Sequence, residues 1–218
     1  MRFPADSCST ASSCSVQDSF WEWRFEGGEG RISDSPLTAN TSVERVSSKR
    51  FVELLTDRCV HRFLLRLFLR DAKLNSIYLV APYIGSLEGQ RFSLRDLREK
   101  VERERISLYV VTRMPEEPYQ VEAMTILKDS PWIEVRYNNS VHAKVYIVTA
   151  ERDADCFALF GSGNWTAKAL QANIELAMLV YNEGPGREIL RELHYWASVR
   201  LRTLPESVLV QRIRSKRS

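Results

Sequence analysis

Paired cysteines, clustered histidines and uncharged apolar runs are all missing from this chain. Its four cysteines, Cys8, Cys14, Cys59 and Cys156, form no C-x-x-C pair. Its three histidines, His61, His142 and His194, are scattered, so no zinc-spaced set exists. A reduced, cytoplasmic protein that uses no metal and no cofactor is expected. The most apolar window, "FVELLTDRCVHRFLLRLFLR", carries Glu53, Asp57, Arg58, Arg62, Arg66 and Arg70. That much charge excludes a helix crossing roughly 30 Å of hydrocarbon, so no stable membrane insertion is expected. The start, "MRFPADSCSTASSCS", has no apolar h-region, which argues against a secretory signal. No internal repeat is visible.

What is present fits one ordinary soluble core with extensions: 218 residues, 44% hydrophobic and 27% charged. Charge is uneven. Of 31 basic and 28 acidic residues, positions 1–40 hold 3 and 6, so the remainder holds 28 and 22, a balance of +6. The basic body and the ending "QRIRSKRS" are compatible with a polyanionic partner. Residues 1–42, rich in Ser, Gly and acidic groups, read as a poorly ordered or regulatory arm, although "FWEWRF" (Phe20 to Phe25) alternates like a strand. Residues 43–205 read as the catalytic domain and 206–218 as a basic tail.

From Ser42 the pattern turns helical, with Val46, Phe51, Leu54, Leu55, Cys59, Phe63, Leu67 and Phe68 near a 3.6-residue stripe. Arg58, Arg62, Arg66 and Arg70 recur every fourth residue, either as a solvated face or as a basic rail for phosphates. "NSIYLVAPYIG" reads as a buried strand, "SLRDLREKVERER" as a helix capped by Ser93, and "ISLYVVT" as a second buried strand. A helix over "EEPYQVEAMTILKDS" follows, then strands over "WIEVRYN", "HAKVYIV", "CFALFG" and "IELAMLVYN". After Gly184, Pro185 and Gly186, "REILRELHYWASVRLRTL" closes the pattern as an amphipathic helix. Strands that first alternate with helices and then cluster predict an α/β fold, a mixed sheet with helices on both faces. Binding residues are expected at strand ends and in the loops beyond them.

One strand is chemically odd. His142, Lys144, Tyr146 and Val148 share a side, and burying a lysine costs several kcal/mol unless something anionic meets it. Beyond the next strand, "GSGNWT" places Ser162 and Asn164 in a tight turn opening a short helix, whose free N–H groups also suit an anion. Glu175 follows eleven residues after Asn164. In this order, from about Asn75 to Tyr181, the set resembles the phospholipase D superfamily, with its H-x-K-x4-D signature and G-S-x-N turn. The pattern is nearest to the small, homodimeric, metal-independent nucleases of that superfamily. The signature aspartate would fall at Thr149; the nearest acidic residues are Glu151, Asp153 and Asp155.

The resemblance implies a phospholipase D-like fold and a phosphodiesterase in which His142 attacks phosphorus and forms a phosphohistidine. Lys144, Asn164 and Ser162 would hold the non-bridging oxygens, a role filled by a metal in many other phosphoryl-transfer sites. Glu175 would fix the imidazole tautomer. Trp165 is counted among the candidate substrate-binding residues beside Lys144, Ser162 and Asn164, with packing as its preferred role. Neither His61 nor His194 is followed by a lysine two places on, so a second catalytic histidine is expected from a two-fold homodimer. The leading substrate is nucleic acid, DNA before RNA. The alternatives are a phospholipid-cleaving or phosphatidyl-transferring enzyme at a membrane surface, and an inactive binding module of the same fold.

Overall fold

A computed structural model describes residues 51–214. The arm expected over residues 1–42, with its alternating stretch Phe20 to Phe25, lies outside the described residues. In chain order the elements are β1 (Val52–Leu55), α1 (Cys59–Leu69), β2 (Leu74–Val80), α2 (Leu94–Glu104), β3 (Ser107–Thr112), α3 (Pro118–Leu127), β4 (Ile133–Tyr137), β5 (Val145–Ala150), β6 (Phe157–Gly161), α4 (Ala167–Gln171), β7 (Ala177–Tyr181), α5 (Gly186–Tyr195) and β8 (Val208–Gln211). Helix α5 runs on through a π-helical stretch, Trp196–Arg200, into a last turn, Leu201–Thr203.

The strands form one eight-stranded mixed sheet in the order β1-β7-β6-β5-β2-β3-β4-β8. Strands β2, β3 and β4 are parallel, as the intervening helices require, and all other pairings are antiparallel. Alternation along β5 splits the core in two: Tyr146 and Val148 join Phe63, Leu97, Leu127 and Leu170 from α1 to α4 on one face. Val145 and Ile147 join Leu190, Ala197 and Leu201 from α5 and its extension on the other. Helices thus cover both faces, as expected. Ser93 caps α2 in a reciprocal capping box with Asp96, which satisfies two end groups at once.

Two expectations change. The helix predicted from Ser42 begins at Cys59, and the preceding Val52–Leu55 is a strand paired with β7 from Val52↔Val180 to Leu55↔Ala177. The free edge of β7 offers those residues a ladder, which outweighs a local helical period. Arg58, in the left-handed region at φ 44°, then turns the chain into α1. The tail expected from residue 206 contains β8, which pairs antiparallel with β4. Val208 and Val210 alternate along it as on a half-exposed edge.

Three of the four arginines in the α1 row have acidic partners within the fold, two of them sharing Glu53. Arg62 and Arg66 both reach Glu53, at 3.4 and 3.8 Å, and Arg70 meets Asp155 at 3.0 Å. Arg66 also lies over the Tyr181 ring, 4.6 Å from its centroid. Three of the four guanidiniums are committed within the fold, which favours the solvated face over the phosphate rail.

Candidate active site

Register gathers the motif at one edge of the sheet. Val145, the first residue of β5, pairs with Val80 at the end of β2 and with Phe160 near the end of β6. Gly161, at the end of β6, pairs with Ala177 at the start of β7. Consequently His142 and Lys144 (before β5), Ser162 to Trp165 (after β6) and Glu175 (before β7) leave the sheet together. The loops after β2 and β3 join them there. His142 and Lys144 therefore sit in the approach to β5 and not within it, and Glu175 precedes β7 by two residues.

His142 is exposed and Lys144 half-buried. Among the described residues no hydrogen bond or ion pair engages either side chain. Their backbone, by contrast, is pinned. Arg113 Nε donates to the Val141 carbonyl at 2.9 Å, Val141 N–H to the Asn138 carbonyl at 3.1 Å, and Gly161 N–H to the Lys144 carbonyl at 3.2 Å. Asn138, itself buried, anchors the turn by donating Nδ2 to Ser207 Oγ at 2.9 Å and accepting from Ser140 N–H at 3.0 Å. The result is two unsatisfied basic side chains on a rigid backbone.

The turn after β6 depends on two glycines. A Cβ on Gly161 would stand 2.3 Å from the Leu176 carbonyl oxygen and 2.6 Å from Ala177 Cα, so only glycine lets β6 leave the sheet that close to β7. A Cβ on Gly163 would press on Val60 Cγ2 at 3.1 Å. From beneath, the fully buried Tyr146 donates its hydroxyl to the Gly163 carbonyl at 2.8 Å. Burial, with Glu175 nearby, holds the Tyr146 pKa well above that of free tyrosine, so it stays a hydroxyl donor. Thr166 caps the single-turn α4, accepting from Ala169 N–H at 3.4 Å.

Glu175 is only 5% exposed. Its carboxylate accepts from the Ser162 hydroxyl, and from Asn173 Nδ2 at 3.1 Å. Ser162 Oγ in turn accepts from Leu176 N–H at 3.0 Å. The serine is thus spoken for by Glu175, and Glu175's hydrogen bonds among the described residues go to Ser162 and Asn173, not to His142. The same carboxylate, with burial as the larger cause, pushes the Cys59 thiol up. Asn164 Oδ1 and Trp165 Nε1 are buried atoms with no partner among the described residues; leaving such an atom unmet costs about 1–3 kcal/mol.

Several candidates settle elsewhere. Trp165 is fully buried, edge-on to Tyr146 and Phe63 at 5.5 and 6.3 Å, so its ring packs under the turn and cannot stack on a substrate. That corrects its placement among the substrate-binding residues. Thr149 lies five residues along β5 from Lys144, roughly 16 Å at about 3.3 Å per residue. Its hydroxyl bonds Ser76 Oγ at 2.6 Å and accepts from Ser76 N–H at 3.1 Å. His61 and His194 are half-buried helix side chains; burial lowers both pKa values, helped at His61 by Arg58 and Arg91. His194 Nε2 is 3.2 Å from the Tyr78 hydroxyl on the opposite face of the sheet. Asn173 and Arg113 escaped the sequence reading because neither belongs to the motif. Only the loop contacts reveal that they hold Glu175 and the His142 approach. Among the described residues no group of three or more His, Cys, Asp or Glu is arranged to hold a metal ion, and no helix is long and apolar enough to cross a membrane.

Known proteins share this fold. The chain resembles, in fold, the phospholipase D family member Nuc from Salmonella typhimurium, with 18% identity and a TM-score of 0.53 over 74% of this chain and 99% of that one. NucT from Helicobacter pylori is similar at 15% identity and a TM-score of 0.52, covering 73% and 98%. Comparison with curated proteins finds no match. The family model described as "Cardiolipin synthase, PLD-like domain" matches residues 65–198, more than half of the chain and all of the motif. With that match, and with His142, Lys144, Ser162, Asn164 and Glu175 converging at one sheet edge, the chain belongs to the PLD-like domain family of the phospholipase D superfamily, a superfamily of phosphodiesterases.

Proposed function

We propose that the protein is a phosphodiesterase that cleaves nucleic acid by way of a phosphohistidine on His142, with residues 43–205 and β8 as the catalytic domain. The observation that carries this reading is the contrast at the sheet edge: among the described residues the His142 and Lys144 side chains have no partner, while the backbone at Val141 and Lys144 is hydrogen-bonded.

In the proposed route the free imidazole nitrogen of His142 attacks phosphorus and forms a P–N bond as the P–O bond to the leaving group breaks. The leaving oxygen takes a proton from an acid on the far side of the phosphate. Water then attacks the same phosphorus, the P–N bond breaks, and the water's proton returns to that group, releasing a phosphomonoester and free His142. Lys144 and the Asn164 amide stabilise the non-bridging oxygens as charge builds. Ser162 acts as a positioning residue that orients Glu175. Glu175 is a buried carboxylate whose hydrogen bonds among the described residues go to Ser162 and Asn173. The acid is His142 of a second copy, which makes the active species a two-fold homodimer.

Nucleic acid, DNA first, is preferred over phospholipid because the domain's charge balance is positive and three of the four arginines of the α1 stripe, the one lipid-facing candidate in the sequence, are spent on internal partners. Cleavage of DNA in EDTA by the wild type and by His142→Ala tests this. Activity in EDTA that disappears with His142 is expected. Activity that survives its removal defeats the mechanism, and cleavage confined to liposomes defeats the substrate. Light scattering tests the dimer: an active monomer overturns it.

A further inference from the structure

Next to the motif turn lies a pocket of about 310 Å³ whose lining includes Gly85, Ser86, Leu87, Tyr119, Thr166 and Lys168. The motif itself fixes its position. Trp165 pairs with Ile84 in a parallel bridge and accepts from Gly85 N–H at 2.7 Å, and Thr166 to Lys168 continue directly from Asn164 and Trp165. One wall is therefore the same segment that carries the phosphate-binding asparagine.

We propose that this pocket binds the base of a nucleotide flanking the scissile phosphate, with Tyr119 as the stacking surface and Lys168 facing the adjoining phosphate. This rests on the phosphodiesterase reading above and narrows its substrate to unpaired strands. A base inside a duplex presents its faces to its neighbours and reaches a side pocket only after costly extrusion, whereas an unpaired base enters freely.

Five observations support it. Tyr119 is 41% exposed, on the outer side of a helix whose inner side buries Ala123, Met124, Ile126 and Leu127. Its ring lies against Gly85, where a Cβ would meet Tyr119 Cδ2 at 3.4 Å, so the glycine leaves room beside the ring. The wall opposite is held rigid: Leu87 adopts φ 58°, uncommon for a branched residue, between the bonds Gln90 N–H to Leu87 O at 3.1 Å and Leu94 N–H to Ser86 O at 2.8 Å. Lys168 is exposed and has no ion pair among the described residues, whereas Glu88, the one acid in the lining, is matched by Arg95 at 2.8 Å. A second exposed aromatic, Tyr83, lies two residues before Gly85 under the Arg113 guanidinium, which is 5.8 Å from its ring centroid. An aromatic ring, a free ammonium and a volume at the small end of ligand sites suit one base better than a pair of acyl chains.

The test is binding without turnover. Full-length His142→Ala protein is titrated against fluorescein-labelled oligothymidine, single-stranded or annealed to its complement, and followed by fluorescence anisotropy. Single strands are expected to bind about tenfold more tightly than duplex. Adding Tyr119→Ala is expected to weaken single-strand binding about 5- to 100-fold, the range for one lost base stack, while Tyr119→Phe binds like its parent and controls for folding. Lys168→Ala is expected to reduce the slope of log affinity against log salt by about 0.7. Equal affinity for both forms, or Tyr119→Ala binding like its parent, overturns the proposal. So does Tyr119-dependent binding to phosphatidylglycerol vesicles without oligonucleotide binding, which assigns the pocket to lipid. Wild-type hydrolysis of bis(p-nitrophenyl) phosphate in EDTA is measured separately; its absence sinks the phosphodiesterase reading, while the binding measurements still decide the pocket.

Discussion

The two ends of β5 carry polar residues for opposite reasons. At its start, His142 and Lys144 have no side-chain partner among the described residues. At its finish, Thr149 is bonded twice to Ser76, and the nearby Asp155, 2% exposed, is held by Arg70 at 3.0 Å and Arg152 at 2.7 Å. The first end leaves its side-chain hydrogen-bonding capacity unused among the described residues, whereas the second spends it on joining β5 to β2 and α1. A spacing motif that spans both ends therefore mixes chemistry with architecture. The contacts of Thr149 with Ser76 place it with the architecture.

Mutations at the two ends should separate rate from stability. His142→Ala is expected to lower phosphodiester hydrolysis by about 10³-fold or more, with unfolding free energy changed by less than about 0.5 kcal/mol because the side chain is exposed. Steady-state kinetics and urea denaturation of one preparation measure both. A large loss of stability would place His142 with the architecture. Ser162→Ala removes a hydroxyl from Glu175 and is expected to reduce kcat about 10- to 100-fold, as loss of a positioning hydrogen bond commonly does. A larger effect than that of His142→Ala would mean the roles are reversed.

At the far end, Asp155→Ala leaves two arginines unmatched. About 1–3 kcal/mol of stability should be lost, less than for a fully buried pair because both guanidiniums are partly exposed, with kcat per folded molecule kept. Thr149→Val should cost about 1–2 kcal/mol through Ser76. Thr149→Asp should leave kcat within about twofold, so a large gain in activity would contradict the division drawn between the ends.

The smallest effect concerns pH. Burial lowers the pKa of His194, and burial with Arg58 and Arg91 lowers that of His61, from 6.5. Below about pH 6.5 the unfolded chain therefore binds more protons than the folded one, and stability falls as pH drops through the lowered folded values. Above that window these histidines contribute no pH dependence. His194→Gln should flatten the decline in a series of denaturation curves between pH 7 and 5.

Much of the site was legible because the motif residues stand close in sequence to buried strands whose apolar runs are unmistakable. His142, Lys144, Ser162, Asn164 and Glu175 were singled out by their order and spacing together with the resemblance to the phospholipase D signature. Trp165 was not assignable, since an aromatic next to a turn reads the same whether it packs inward or faces a ligand. Strand β1 was missed because four residues ahead of a helix fit either period, and their state was decided by the open edge of β7. Strand β8 was missed because a short alternating run in a basic terminus looks like a tail until β4 offers it a partner.

The sequence alone determined the α/β class, the placement of most strands and helices, and the ordered set of five residues that resembles the superfamily signature, because local periodicity and fixed spacing are properties of the chain itself. The tertiary structure alone decided that these five leave the sheet at one edge, that Glu175 is held by Ser162 and Asn173, that three of the four arginines in the α1 row have internal partners, and that Tyr119 and Lys168 share a pocket with the motif turn. Those facts depend on strand order and register, and pairing between distant segments is a choice among partners that no single segment contains.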